Sequence, residues 1–177
     1  MSEEWPVVDS RVEWRTPFFE AGVDVVEHPG GGRGEYYWVD PPDGVVVVAV
    51  EGDDLVVIEG YRPRPRARFL ELPGGSVDPG ESPVETGRRE LHEETGFEAG
   101  TVELVGSYAP STWLRMTQHV AFATDLRAGD PSPEDGEFLD VHVLPVPEAR
   151  ERIRAGPTAA WALTPLLLAH EAGYLSV

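Results

Sequence analysis

Cysteine and lysine are both absent from this 177-residue sequence. The first absence excludes a disulfide framework, thiol nucleophiles and thiolate metal sites. The second makes all 14 basic residues arginine, set against 32 acidic ones for a formal net charge of −18. A charge of that size and sign repels a polyanion at long range and argues against nucleic-acid binding. Also missing is any apolar run approaching the roughly 20 residues that span a bilayer. The opening Met-Ser-Glu-Glu-Trp lacks the basic and apolar regions of a signal peptide. These absences predict a cytoplasmic protein with no membrane and no nucleic-acid partner. Acidity without lysine further predicts a halophilic protein, because at 1 M salt the Debye length falls to about 3 Å and self-repulsion is screened.

What is present is a hydrophobic fraction of 41%, enough for one domain with a sizeable core at this length. The first forty residues read as short strands at 11–15, 22–28 and 35–39, with Gly30-Gly31-Gly32 as a hairpin turn. Residues 1–40 are therefore assigned to a β-rich N-terminal subdomain and 41–177 to the principal domain. Val45–Val50 and Leu55–Ile58 read as buried strands joined by a tight turn at the centre of a mixed sheet. Further strands are expected at 101–108, 119–124 and 141–146, with a loop over 130–137. Two helices are expected at 147–155 and 158–172, the second kinked or interrupted at Pro165.

The most informative stretch is 75–97. Ser82 as N-cap, Pro83 in the first helical position and Glu85 three residues past Ser82 form a capping box, and Gly96 is placed to end the helix in the left-handed conformation. Val84, Gly87, Leu91 and Thr95 give this helix a narrow packing face. Glu90, Glu93 and Glu94 lie on another face, where like charges at i, i+3 and i+4 destabilise an isolated helix by a few tenths of a kcal/mol per pair. Arg88 and Arg89 offer partial neutralisation, and a hard divalent cation offers more.

The spacing of Gly75, Glu81, Arg89, Glu90, Leu91, Glu93, Glu94, Gly96 and Phe97 resembles the Nudix box, the signature of hydrolases acting on nucleoside diphosphates linked to another group. Gly60-Tyr61-Arg62, Glu71-Leu72-Pro73-Gly74-Gly75 and Gly106-Ser107-Tyr108-Ala109-Pro110 look like the ADP-ribose pyrophosphatase branch. The resemblance implies an α+β fold, a Nudix-type α/β/α sandwich around a mixed β-sheet with a small β-rich N-terminal extension, and a homodimer. It implies Mg²⁺-dependent hydrolysis of the pyrophosphate of ADP-ribose or a related nucleoside diphosphate sugar, with Mn²⁺ as the alternative ion and two or three ions bound. Hydrolysis of another nucleotide, such as NADH, a dinucleoside polyphosphate or a damaged nucleoside triphosphate, is the alternative. A non-catalytic nucleotide sensor is the third reading.

By the same resemblance Glu90 and Glu94 are the principal metal ligands, joined by Glu93 and the carbonyl of Gly74. Glu81 orients its neighbours and Arg89 partners the carboxylates. Glu137 is the expected general base, with Glu134 and Glu93 as competitors. Pro110 falls where the branch carries a proline associated with ADP-ribose preference, although Ser111 stands where glycine often follows and Thr86-Gly87 where alanines are usual.

Between Tyr61 and Leu72, Arg62, Arg64, Arg66 and Arg68 alternate, and an extended segment would project all four to one side. Arg66 and Arg68 read as partners of nearby acids. For Arg62 and Arg64 that reading stands beside contact with substrate phosphates, which guanidinium matches bidentately. Tyr36, Tyr37, Trp38, Tyr61 and Trp113 are the aromatics considered for the nucleoside, with Trp38 and Tyr61 chosen. His92 is read as solvated.

Overall fold

The computed structural model describes residues 4–134, 136–156 and 159–175, without the side chains of Ala159 and Ala160. Its contacts divide the chain into two units, one running to Asp43 and joined by Tyr108–Thr117, the other formed by Gly44–Ser107 and the chain from Gln118 onward.

The first unit is an antiparallel sheet of β1 (Val7–Arg15), β2 (Glu20–Glu27) and β3 (Arg33–Asp40) in that order. At its centre Asp24 accepts hydrogen bonds from Ser10 Oγ at 2.7 Å and Trp38 Nε1 at 2.9 Å, and it pairs with Arg115. The Arg115 guanidinium lies over the Trp38 ring, 3.9 Å from its centroid. The later segment is tied in by backbone bonds from Val39 N to Trp113 O and from Arg115 N to Val39 O. Sequence periodicity does not report such a long-range return.

The second unit is built on β4 (Gly44–Glu51), whose run of valines is buried on both faces, as a central strand requires. It pairs antiparallel with β5 (Asp54–Arg62) and parallel with β9 (Gln118–Ala128), giving the order β10–β5–β4–β9–β8 with β8 at Phe97–Tyr108 and β10 at Leu139–Pro145. β6 (Ala67–Glu71) pairs with β5, and the short β7 (Gly74–Ser76) pairs with β4. Val45, Val47 and Ala49 form a core with Leu91 of α1 (Pro83–Thr95). By strand alternation Val46, Val48 and Val50 face the other way, and α3 (Ala159–Glu171) packs on β4 and β9. α2 (Val146–Ala155) packs on β5, β6 and β10. The expected α/β/α sandwich around a mixed sheet is thus the observed fold. Among the described residues no helix is long and apolar enough to cross a membrane.

Three expectations change. The arginine row does not form, because residues 63–66 turn between β5 and β6. Arg66 has φ of +55°, Arg62 pairs with Glu71, and Arg68 pairs with Glu59 and Asp140. Tertiary pairing of β6 onto β5 overrides the local alternation. Second, of the two outcomes expected at Pro165, a kink or an interruption, the interruption does not occur, since α3 continues through it. Proline removes the N–H that would reach the Trp161 carbonyl and crowds that carbonyl with its ring, while burial of Ala162, Leu166 and Ala169 holds the helix. Thr158, the predicted first residue of that helix, lies outside the described residues. Third, His92 is half-buried rather than solvated, and its Nδ1 is shut from solvent with no hydrogen-bond partner among the described residues.

Candidate active site on the acidic helix

The capping box forms as its residues predict: Ser82 N donates to Glu85 Oε2 at 2.8 Å, and Glu85 N donates to Ser82 Oγ. Gly96 closes the helix in the left-handed conformation at φ +76°. With both ends fixed, α1 presents Arg89, Glu90 and Glu94 to the Gly74–Gly75 strand, and Glu93 joins them through Arg89.

Arg89 is the hub. One Nη donates to Glu90 at 3.0 Å and to Glu93 at 2.8 Å, while Nε and the other Nη reach Glu81 at 3.2–3.4 Å. Asp78, which the sequence reading did not single out, sits 3.5 Å from the same guanidinium. Glu81 also accepts a 2.8 Å bond from Thr86 Oγ1. Bonding to Arg89, and then to Thr86, holds Glu81 below the usual carboxylate range.

Glu94 is the buried member, 4% exposed, and its Oε2 accepts a 2.8 Å bond from the Gly74 amide. Burial pushes its pKa up to about 8, the charges of Glu90 and Glu137 adding to the rise and the Gly74 bond opposing it. Glu90 is raised by the same cause, burial, against the pull of Arg89. Glu90 also needs Gly75: a Cβ there would stand 2.3 Å from Glu90 Oε1.

Among the described residues no group of three or more His, Cys, Asp or Glu is gathered at metal-ligand spacing. Glu90 and Glu93 are turned onto Arg89, and Glu94 onto the Gly74 amide. The donor set nevertheless fits Mg²⁺ in kind. It consists of hard oxygens, with Glu94 buried and Glu90 half-buried, and the ionisation of both is disfavoured by burial without a compensating cation. Mg²⁺ takes one or two carboxylates and completes its shell with water and phosphate oxygens, so no preassembled cage is required.

Glu134 and Glu137 line one cavity with Gly74, Gly75, Ser76, Asp78, Arg89 and Glu90, of about 320 Å³. The structure therefore brings both base candidates to the acidic helix. A second cavity of about 180 Å³ shares Gly74 and Gly75 and is lined further by Arg62, Glu71, Gln118 and Trp161. Arg62 donates from Nε to Glu71 at 2.7 Å and is close enough to Glu94 to favour its charged form. Arg64 lies in the exposed β5–β6 turn, beside Arg62 and Trp161. Tyr61, one residue before Arg62 on β5, faces the opposite side by alternation and is exposed.

Trp38 and Pro110 belong to the first unit. Trp38 is 8% exposed, bonded to Asp24 and covered by Arg115, so its ring is a core element rather than an open stacking platform. Gln118 and Trp161 had no motif to mark them; the first is a lone polar residue at a strand start, and the second reads as one apolar residue in an apolar helix.

This architecture, with a carboxylate-bearing helix between a capping loop and a glycine strand, is that of a nucleotide hydrolase family. The NUDIX domain profile matches residues 40–165, and the chain belongs to the Nudix family. It is 32% identical over 136 residues to the methanol dehydrogenase activator of Bacillus methanolicus, covering 75% of this chain and 74% of that one. It is 33% identical over 159 residues to a CMP-5'-(N-acetyl-N-hydroxy-3-aminopropyl)phosphonate hydrolase of Streptomyces rubellomurinus, covering 87% and 76%. It is 33% identical over 138 residues to an ADP-ribose pyrophosphatase of Mycobacterium tuberculosis, covering 75% and 67%. A solved structure of an ADP compounds hydrolase shares the fold, with a TM-score of 0.84 at 23% identity over 96% of this chain and 94% of that one.

Proposed function

We propose that this Nudix hydrolase cleaves the pyrophosphate of ADP-ribose or a related nucleoside diphosphate sugar, releasing a nucleoside monophosphate and a sugar phosphate. The observation that carries the reading is the meeting of the acidic cavity and the Trp161 cavity at Gly74 and Gly75. A diphosphate placed at those two glycines has carboxylates on one side and room for an attached organic group on the other.

Glu90, Glu93, Glu94 and the Gly74 carbonyl are the groups that would hold Mg²⁺ or Mn²⁺, in two or three sites. The ions supply neutralisation of phosphate charge and a more acidic water. Glu137 takes the proton of the attacking water, with Glu134 beside it. Arg89 keeps Glu81, Glu90 and Glu93 oriented. Arg62 offers its guanidinium, already aligned by Glu71, to a phosphate oxygen. The same reading takes the protein as a homodimer, because its N-terminal sheet unit leaves Val7, Trp14, Phe18 and Tyr37 exposed, an apolar set that a second copy would cover. Light scattering on the purified protein checks that assembly.

A second reading has its own support: the relative that matches the greatest part of this chain among those named above is a CMP-phosphonate hydrolase. A panel of ADP-ribose, other ADP-sugars, NADH, CMP-linked compounds and nucleoside triphosphates, assayed with Mg²⁺ in high salt, tests both. AMP and ribose 5-phosphate from ADP-ribose, abolished by EDTA, are the expected products. Preferential release of CMP would move the assignment to the second reading. Tight nucleotide binding with no turnover of any compound would make the protein a sensor.

A further inference from the structure

The chain contains no asparagine and a single glutamine, Gln118, so the molecule has one side-chain carboxamide. That group is 3% exposed, yet it lines the cavity beside Gly74 and Gly75. Room for it comes from its register partner on β4: Gly44 faces Gln118, and a Cβ at Gly44 would stand 2.8 Å from Gln118 Oε1. Among the described residues the amide's one bond is a long one, from Nε2 to the His119 carbonyl at 3.4 Å. A carboxamide has two donor hydrogens and an oxygen acceptor, so most of its capacity is unused. Its Oε1 is not among the polar atoms shut off from solvent, so it stands open to whatever fills the cavity.

Across the same cavity stands Trp161, on the first turns of α3 and 45% exposed. Its neighbours in that helix, Ala162 and Leu166, are buried, and of the two large apolar residues that α3 leaves exposed, Trp161 and Leu167, it is Trp161 that lines this cavity. It also borders the adjoining hollow formed by Arg62, Arg64 and Phe69. An accessible indole, an under-used carboxamide and the apolar side chains of Val46 and Leu72 therefore surround one opening that begins at the two glycines.

We propose that this opening is the nucleobase subsite, with Trp161 stacking on the base and Gln118 a specificity-determining residue that hydrogen-bonds its edge. The inference deepens the functional reading above and rests on it for the identity of the ligand as a nucleotide. A planar heteroaromatic ring matches both walls: the indole offers a stacking face, and an amide offers the paired donor and acceptor that nucleobase edges present. A sugar satisfies the carboxamide but gains less from the indole.

The test uses the full-length protein and two probes, AMP and ribose 5-phosphate, titrated by calorimetry with and without Mg²⁺, alongside ADP-ribose kinetics. Trp161→Ala should weaken AMP binding and raise KM for ADP-ribose roughly 5- to 150-fold, the range carried by loss of one base–aromatic stack. It should leave kcat within about twofold, and Trp161→Phe should restore most of the affinity. Gln118→Leu should weaken AMP at least fivefold and leave ribose 5-phosphate unchanged, and Gln118→Asn, which keeps the amide, checks that any loss is not a folding defect. AMP affinity unaltered in Trp161→Ala, or a loss confined to ribose 5-phosphate, overturns the proposal even when the wild type turns over ADP-ribose normally. A wild type that binds AMP through Trp161 but hydrolyses none of the panel upholds the subsite and removes the enzymatic reading instead.

Discussion

The backbone amide of Gly74 donates a 2.8 Å hydrogen bond to Glu94, twenty residues further along the chain and 4% exposed. That bond fastens the glycine strand to the acidic helix and fixes the most buried carboxylate of the site. Glu90 is held in the neighbouring position by a different means, the absence of a side chain at Gly75.

Gly75→Ala follows directly from that packing. The new methyl would fall 2.3 Å from a Glu90 oxygen, so the carboxylate must swing away while the helix stays in place. Activity with Mg²⁺ should drop by two orders of magnitude or more, the scale set by displacing a site group by about 1 Å. The melting temperature should change by only a few degrees. Unaltered turnover would show that Glu90 is not a functional ligand.

The pH dependence of the metal-free protein is set in part by Glu94. Its folded pKa of about 8 lies above the ordinary value of 4.5, so the folded state holds a proton that the unfolded chain releases. The corresponding stability is whole below about pH 4.5 and is lost as pH rises through about 8. Thermal melts in EDTA between pH 5 and 9 should therefore decline more steeply for the wild type than for Glu94→Gln, and Mg²⁺ should offset the wild-type decline. Parallel curves for the two proteins would refute this.

Glu137 and Glu134 line the same cavity as Glu90, and general-base removal typically costs about 10²–10⁴ in rate. Glu137→Gln should lower kcat by at least tenfold while calorimetric Mg²⁺ affinity is retained. Should Glu134→Gln show the larger loss instead, the base is reassigned.

Salt should matter as much as metal. With a net charge of −18, surface self-repulsion reaches about 30 Å at 0.01 M salt and about 3 Å at 1 M. Melting should shift upward by several degrees or more from millimolar to molar KCl, with Mg²⁺ excluded from both. An unchanged midpoint would separate the acidic composition from salt adaptation.

Much of this was readable in advance because it is local. Ser82, Glu85 and Gly96 bound the helix through bonds made within it, and the valine run of β4 announces burial whatever its neighbours are. What failed was the arginine alternation after Tyr61. Alternation implies one face only if the strand continues, and pairing of β6 back onto β5 interrupts it at residues 63–66. The environment of Trp38 was equally illegible, since it is the return of Arg115 to Asp24 that covers its ring.

By itself the sequence determined the helix with its caps, the three glutamates sharing one of its faces, the family and the kind of ion that such oxygens suit, because these depend on spacing along one element. Only the tertiary structure decided which carboxylates are buried, that Arg89 gathers Asp78, Glu81, Glu90 and Glu93, and that Gln118 and Trp161 face one opening. Burial and convergence arise from chain segments distant in sequence being packed together, and no local periodicity encodes them.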